Sequence, residues 1–301
     1  MRRYSAAGVG KRLRARIEAV VERRVITTKC APAGGFTLAE RWVVILEDGS
    51  TRFVKVADDA TSRRLIRAEA AILAELDDDY GAGFDGFDDH PLKPLLVLED
   101  LTGSFWPPPW RPGDPERVLQ TLQRVHASPA PDHLEDAEGL RPRLDGWTVV
   151  AEDPAPLLGL GLVTSGWLER NLDELVAVSA RAPLAGDALL HLDVRSDNLC
   201  FIGDRVVFVD WGLAARGNPD VDIAFWLTSL HAEGGPAPDD LFDGDPALAV
   251  FVAGSFASRA GLAPFRWGAG KIRMVQRAQL ATALPWACRV AGLEPPDGPT
   301  R

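Results

Sequence analysis

The stretch from His191 to Gly212 constrains the fold more than any other part of this chain. Two short apolar runs, Leu199 to Ile202 and Val206 to Val209, flank the turn Gly203-Asp204-Arg205 and read as an antiparallel hairpin. Asp193 and Asn198 sit in the polar loop that opens into the first run, and Asp210 follows the second and precedes Trp211-Gly212. Pairing the two runs brings Asn198 and Asp210 to the same end of the hairpin. A hard cation such as Mg²⁺ takes oxygen ligands, one or two from protein and the rest from phosphates and water. Asn198 and Asp210 could supply them, leaving Asp193 to face a hydroxyl. The same residues also suit a turn or a helix cap. His191 reads as structural, holding the loop by a hydrogen bond.

Upstream, Lys11 to Arg24 reads as a helix with Leu13, Ile17, Val20 and Val21 on one face and arginines on the other. Such a helix packs on its own domain or docks on a membrane or nucleic acid. Strands are expected at Val25 to Cys30, Arg41 to Leu46 and Arg52 to Val56, the last two joined by an Asp-Gly turn. Residues 61–76 follow as a helix with Leu65, Ala68, Ile72 and Leu76 inward and Thr61 or Ser62 as cap. Residues 77–90 read as an exposed loop and Leu95 to Leu98 as a short strand. Trp106 to Pro112 (WPPPWRP) can be neither helix nor inner strand. Beyond it the chain is mainly helical, at about 114–127, 164–181, 219–232, 245–258 and 271–291. The order implies a boundary near residue 101, with one domain at 1–101 and a second at 102–301.

Gly34 and Gly35, in Ala31 to Thr37, either present backbone amides to a phosphate or form a plain β-turn. The formal net charge of -10 argues against general nucleic-acid binding, which needs clustered cations. It suits a cationic substrate only if the carboxylates line a pocket, and candidates occur at Asp239, Asp240, Asp243 and Asp245. Trp106, Trp110, Trp226 and Trp267 could stack on a ring or cation. Cys30, Cys200 and Cys288 are scattered, so no zinc site or disulfide is expected, and reduced thiols in a cytoplasmic setting are the simplest account. Neither a signal peptide nor a membrane span is expected.

His191 to Asn198 fits the pattern HxDxxxxN, and Asp210-Trp211-Gly212 an Asp-x-Gly metal motif. In this the chain resembles the aminoglycoside phosphotransferase family, including its choline- and homoserine-kinase-like relatives, over roughly residues 25 to 230. The resemblance implies an α+β, bilobal protein-kinase-like fold: a small antiparallel-sheet N-lobe with one key helix, and a larger, mainly helical C-lobe. It implies that Lys55 is the strand lysine for the α- and β-phosphates and Glu69 its ion-pair partner. Leu98 to Leu101, with Glu99 and Leu101, becomes the hinge for the nucleotide base, and Asp222 an acidic residue the family keeps. Asn198 and Asp210 would hold Mg²⁺, and Asp193 would orient the acceptor hydroxyl and take its proton. Arg195 and Ser196 depart from the family, where a His and a small residue or Pro are common. Arg195 would contact the transferring phosphoryl group or pair with Asp197 or Asp222.

The function implied is transfer of the γ-phosphate of ATP or GTP to a hydroxyl of an aminoglycoside, amino sugar or similar small metabolite, with antibiotic resistance among the roles it would serve. The other reading is a catalytically silent nucleotide-binding module that regulates a partner. The first expects Lys55, Asp193, Asn198 and Asp210 to converge on one Mg-triphosphate.

Overall fold

The computed structural model describes residues 8–31, 38–76, 79–264 and 271–298. The chain divides into two compact units, and the division is not a single cut. Residues up to 107 form one unit together with 197–214; residues 108–196 and 215 onward form the other.

The first unit opens with α1 (Lys11–Val21), then β1 (Val25–Cys30), β2 (Glu40–Leu46), β3 (Thr51–Val56), α2 (Ala60–Leu73), β4 (Phe84–Asp88) and β5 (Leu95–Glu99). The five strands form one antiparallel sheet in the order β1-β2-β3-β5-β4. Alternation divides the labour of β3, because successive strand residues face opposite sides. Val54 and Val56 join Trp42, Val44, Leu95 and Val97 in an apolar cluster closed by Ile17 of α1. Phe53 and Lys55 are thereby turned to the other face. Leu13, Val20 and Val21 also pack on that cluster, so the apolar face of the basic helix is spent on its own unit. On its polar side Arg16 pairs with Asp88 at 2.6 Å.

Two expectations about this unit are corrected. Residues 84–88 are an edge strand, not loop: Phe-Asp-Gly-Phe-Asp has weak strand propensity, and pairing with β5 supplies what propensity lacks. Helix α2 is capped by Asp59, whose carboxylate accepts from the Ser62 amide at 2.7 Å, and it buries Ser62, Ile66, Glu69, Ala70, Ile72 and Leu73. The face is rotated from the expected Leu65–Ala68–Ile72–Leu76 stripe because Glu69 turns inward to a charged partner.

The second unit contains α3 (Asp114–Ala127), α4 (Ala137–Leu144), α5 (Trp147–Glu152), α6 (Ala155–Leu158) and α7 (Ser165–Ser179). A short strand, β6 (Ala188–Leu190), follows. The chain then enters the first unit for the hairpin β7 (Leu199–Ile202) and β8 (Arg205–Phe208). It returns with β9 (Ala215–Gly217), α8 (Asp220–Ala232), α9 (Pro238–Leu241), α10 (Pro246–Ala260) and α11 (Lys271–Ala291). β6 pairs with β9. Helix α10 is buried along nearly its whole length and organises a core with Trp147, Trp167, Leu175 and Trp286. Helices α4 to α6 were not expected: they run four to eight residues, too short for a periodic signal, and α4 carries Pro142 inside it. The pair β6–β9 was missed for the same reason of length. Among the described residues no helix is long and apolar enough to cross a membrane.

Candidate active site

Lys55 stands on a central strand, between Arg41 of β2 and Leu96 of β5. It is 5% exposed, and Glu69 on α2 is 3% exposed. A lysine and a glutamate buried to that degree need partners. Both Glu69 carboxylate oxygens receive the ammonium, Oε1 at 2.8 Å and Oε2 at 2.9 Å. Asp210 Oδ1 is the third member, in direct contact with Lys55 Nζ. The Asp210 amide also donates to Glu69 Oε1 at 3.1 Å, so α2 grips the backbone as well as the charge.

One ammonium thus faces two carboxylates. Burial works against the Lys55 charge, but Asp210 and Glu69 outweigh it and raise its pKa above the ordinary lysine value. Burial pushes the Glu69 carboxyl up; Lys55 opposes this, Asp210 adds to it, and the balance is upward. The cluster has a surplus of negative charge that a further cation would relieve.

The hairpin delivers Asp210 as its strand pattern implied. Leu199 pairs with Phe208, and the Val209 amide donates to the Asn198 carbonyl at 2.9 Å, so Asn198 and Asp210 flank the same end. Asn198 is 1% exposed. Asp210 is in the left-handed region (φ 65, ψ 50), which aspartate tolerates better than most side chains. Gly212 follows for a steric reason: a Cβ there would lie 2.9 Å from the Leu65 carbonyl oxygen, where α2 crosses the turn.

Beside this cluster lies a cavity of about 240 Å³ within the same unit. Phe53, Ala82, Leu98, Trp106 and Val209 give it apolar walls, and Lys55 and Asp210 occupy its lining with Glu99 and Leu101. The Glu99 amide is spent on the Gly83 carbonyl at 2.7 Å, and its side chain meets Arg205 at 3.4 Å. The Leu101 carbonyl accepts from Trp106 Nε1 at 3.2 Å. An apolar cavity whose lining includes an ammonium and carboxylates can take a planar ring together with a metal-bound polyanion. Gly34, Gly35 and Trp267 lie outside the described residues.

Asp193 and Arg195 belong to the second unit, and the two side chains are in contact, Arg195 Nη1 with Asp193 Oδ1. Asp193 is thus an acid that Arg195 meets, beside the Asp197 and Asp222 named from sequence. The segment is fixed from below by Asp222, which is 1% exposed and accepts from the amides of His191 at 2.8 Å and Leu192 at 2.7 Å. His126 Nε2 lies 3.2 Å from the same carboxylate. The wholly buried His191 takes the Asp193 amide on Nδ1 at 3.2 Å, the loop-holding role read from sequence. Leu192 has φ 58, an unfavourable value for leucine, and the two amide bonds to Asp222 hold it there.

Three of the four acids proposed for a cationic acceptor are otherwise engaged. Asp239 pairs with Arg289, Asp240 receives the Ala237 amide, and Asp245 caps α10 through the Ala247 amide. Asp220, whose carboxyl burial raises, is raised further by Asp243 and Asp245. Sequence reasoning missed His126 and Glu233. Their partners are far away in the chain, and no local pattern marks either.

Residues 30–253 match the family model described as the phosphotransferase enzyme family. No curated protein matches the chain. Among solved structures, a spectinomycin phosphotransferase in complex with ADP and spectinomycin aligns at TM-score 0.61 and 10% identity, over 94% of this chain and 98% of that one. An aminoglycoside phosphotransferase from Alicyclobacillus acidocaldarius aligns at 0.58 and 19%, over 96% of each chain. A choline/ethanolamine kinase family protein from Mesorhizobium loti aligns at 0.57 and 17%, over 88% and 91%. At these identities the likeness carries the fold, which is the protein-kinase-like one.

Proposed function

Because the chain belongs to the phosphotransferase enzyme family, acting on an alcohol group, we propose that it moves the γ-phosphate of ATP or GTP onto a hydroxyl of an aminoglycoside, amino sugar or similar small metabolite. The observation that carries the donor half is the Lys55–Glu69–Asp210 cluster beside the apolar cavity. The purine of the donor lies in that cavity against Leu98 to Leu101, and Lys55, oriented by Glu69, holds the α- and β-phosphates. Positioning and charge stabilisation are most of what phosphoryl transfer asks of a protein.

Mg²⁺ fits the donor set. Asp210 and Asn198 offer hard oxygen atoms from one end of a hairpin, and the surplus negative charge at Asp210 and Glu69 favours a cation. Bound there with the nucleotide, the ion would screen phosphate charge as it develops. Among the described residues no cluster of three or more His, Cys, Asp or Glu suits a metal, consistent with a metal that completes its shell with phosphate and water.

Asp193 orients the acceptor hydroxyl and receives its proton as the oxygen attacks phosphorus. Arg195, in contact with that carboxylate, keeps it aimed and places positive charge where the transferred group passes. The acceptor class is supported by the family and by the spectinomycin and aminoglycoside enzymes of the same fold. The test is a coupled nucleotide-consumption screen with Mg-ATP and Mg-GTP over aminoglycosides, amino sugars, amino alcohols and macrolides. Acceptor-dependent consumption and a phosphorylated product are expected from the first two groups. A blank screen with correctly folded protein overturns the acceptor assignment, and failure to bind Mg-nucleotide by calorimetry overturns the donor site.

A further inference from the structure

We propose that Glu233 is a positioning residue: it clamps the Asp193 loop through Ser196, and Trp110 holds the clamp in place. Glu233 closes the C-terminus of α8 and is half-buried. Its Oε1 accepts from Ser196 Oγ at 2.5 Å, and its Oε2 accepts from Trp110 Nε1 at 3.0 Å. Ser196 is 6% exposed and stands three residues beyond Asp193. Trp110 is itself braced, edge-on, against the fully buried ring of Trp226, centroids 6.2 Å apart.

The loop needs such a hold. Leu192 is kept at positive φ, and a strained backbone persists only where its surroundings over-determine it. Asp222 and His191 secure the residues up to the Asp193 amide. Those bonds leave the side following Asp193 to other contacts, and Ser196–Glu233 is a charge-assisted contact there. A hydroxyl donating to a carboxylate at this length is strong and directional. Trp110 makes the carboxylate answer also to the WPPPWRP segment, so the loop is tied to two elements remote in sequence. The effect of Glu233 on phosphoryl transfer runs through the placement of Asp193 and Arg195.

The catalytic part of this inference rests on the phosphotransferase reading, but the structural part does not. Amide hydrogen exchange of the full-length protein, followed by mass spectrometry, reads the clamp directly. Glu233→Ala and Ser196→Ala should each speed exchange in peptides covering 191–196 by about ten-fold or more, the worth of a hydrogen bond to a charged group. The double variant should do no more than either single one, and Ser196→Thr, which keeps the hydroxyl, should restore slow exchange. Trp110→Phe should give a smaller increase. If Glu233→Ala does not fold, Glu233→Gln and Ser196→Ala carry the same comparison. Unchanged exchange at 191–196 in folded variants overturns the clamp. With Mg-ATP and an acceptor found by the screen, Ser196→Ala should lower kcat while KM for ATP stays put. A rise in acceptor KM with kcat untouched would instead make Glu233 a substrate contact. If no acceptor is phosphorylated at all, the functional reading fails and the exchange result still decides the clamp.

Discussion

Lys55 is the residue on which the charge balance of the first unit turns. Replacing it with methionine keeps the volume and strands the buried Glu69 carboxylate beside the partly exposed Asp210, which should cost about 3–5 kcal/mol at neutral pH. The pH dependence follows from Glu69. Its folded pKa lies above the ordinary 4.5, so the native chain keeps that proton longer than the unfolded chain does. Its contribution is favourable below 4.5 and is lost as pH rises through the folded value. Without Lys55 that rise should be larger, so the stability gap between Lys55→Met and the parent should narrow as pH falls toward 4.5; urea unfolding across pH 4 to 8 checks it. Asp193→Ala should lower kcat by about two to four powers of ten while nucleotide affinity, by calorimetry, barely changes. Leu192 offers a test of backbone strain. Leu192→Gly and Leu192→Ala lose the same packing, but only glycine is at ease at φ 58, so the glycine variant should be the more stable by about 1 kcal/mol. This reverses the usual order of the two residues, and thermal melts will show it.

Elements meet closely at two glycines, Gly212 of the Asp-x-Gly motif and Gly254, whose packing role no local pattern marks. Gly212 lets α2 lie against the turn after β8, and Gly254 on α10 lets the Trp147 indole of α5 sit where a Cβ would come within 2.4 Å. The Trp147 Nε1 donates to the Val250 carbonyl at 2.8 Å in the same crossing. Gly254→Ala must push the ring or the helix aside and should cost about 1–3 kcal/mol, measurable as a lower melting temperature. Gly212→Ala should cost a similar amount and also loosen the Asp210–Glu69 contact. Helix α2 shows how much of an element was legible. Its existence followed from the apolar pattern, but its buried face did not, because Glu69 counts as polar in any pattern and is drawn inward by Lys55. Strand β4 and helices α4 to α6 were illegible for the opposite reason: they are short or polar and owe their form to what they pack on.

At the scale of the whole molecule the first unit is assembled from two stretches of chain. Asp210, one of the three members of its charge cluster, arrives from residues 197–214. A fragment ending at residue 107 should therefore show no Mg-ATP binding by calorimetry. In the intact protein, Mg-ATP at a hundredfold over its dissociation constant should add about 2.7 kcal/mol to stability and raise the melting temperature, whereas Mg²⁺ alone should not. The thiols report on the same packing. Burial pushes Cys200 and Cys288 up to about 11, while Cys30 is exposed. At pH 8 a thiol reagent should titrate one cysteine in the native protein and all three after unfolding.

By itself the order of residues determined the hairpin and the loop ahead of it, because strand alternation and turn chemistry act over a few neighbours. It also supplied the candidate site residues, since their spacing is written along the chain. The Lys55–Glu69 pair was expected from the resemblance; which other carboxylate meets which donor was decided only in three dimensions: Asp210 with Lys55, Asp193 with Arg195, Glu233 with Ser196. Those partners are set by burial, which removes water as a competitor and leaves each charge to the groups that packing brings within reach.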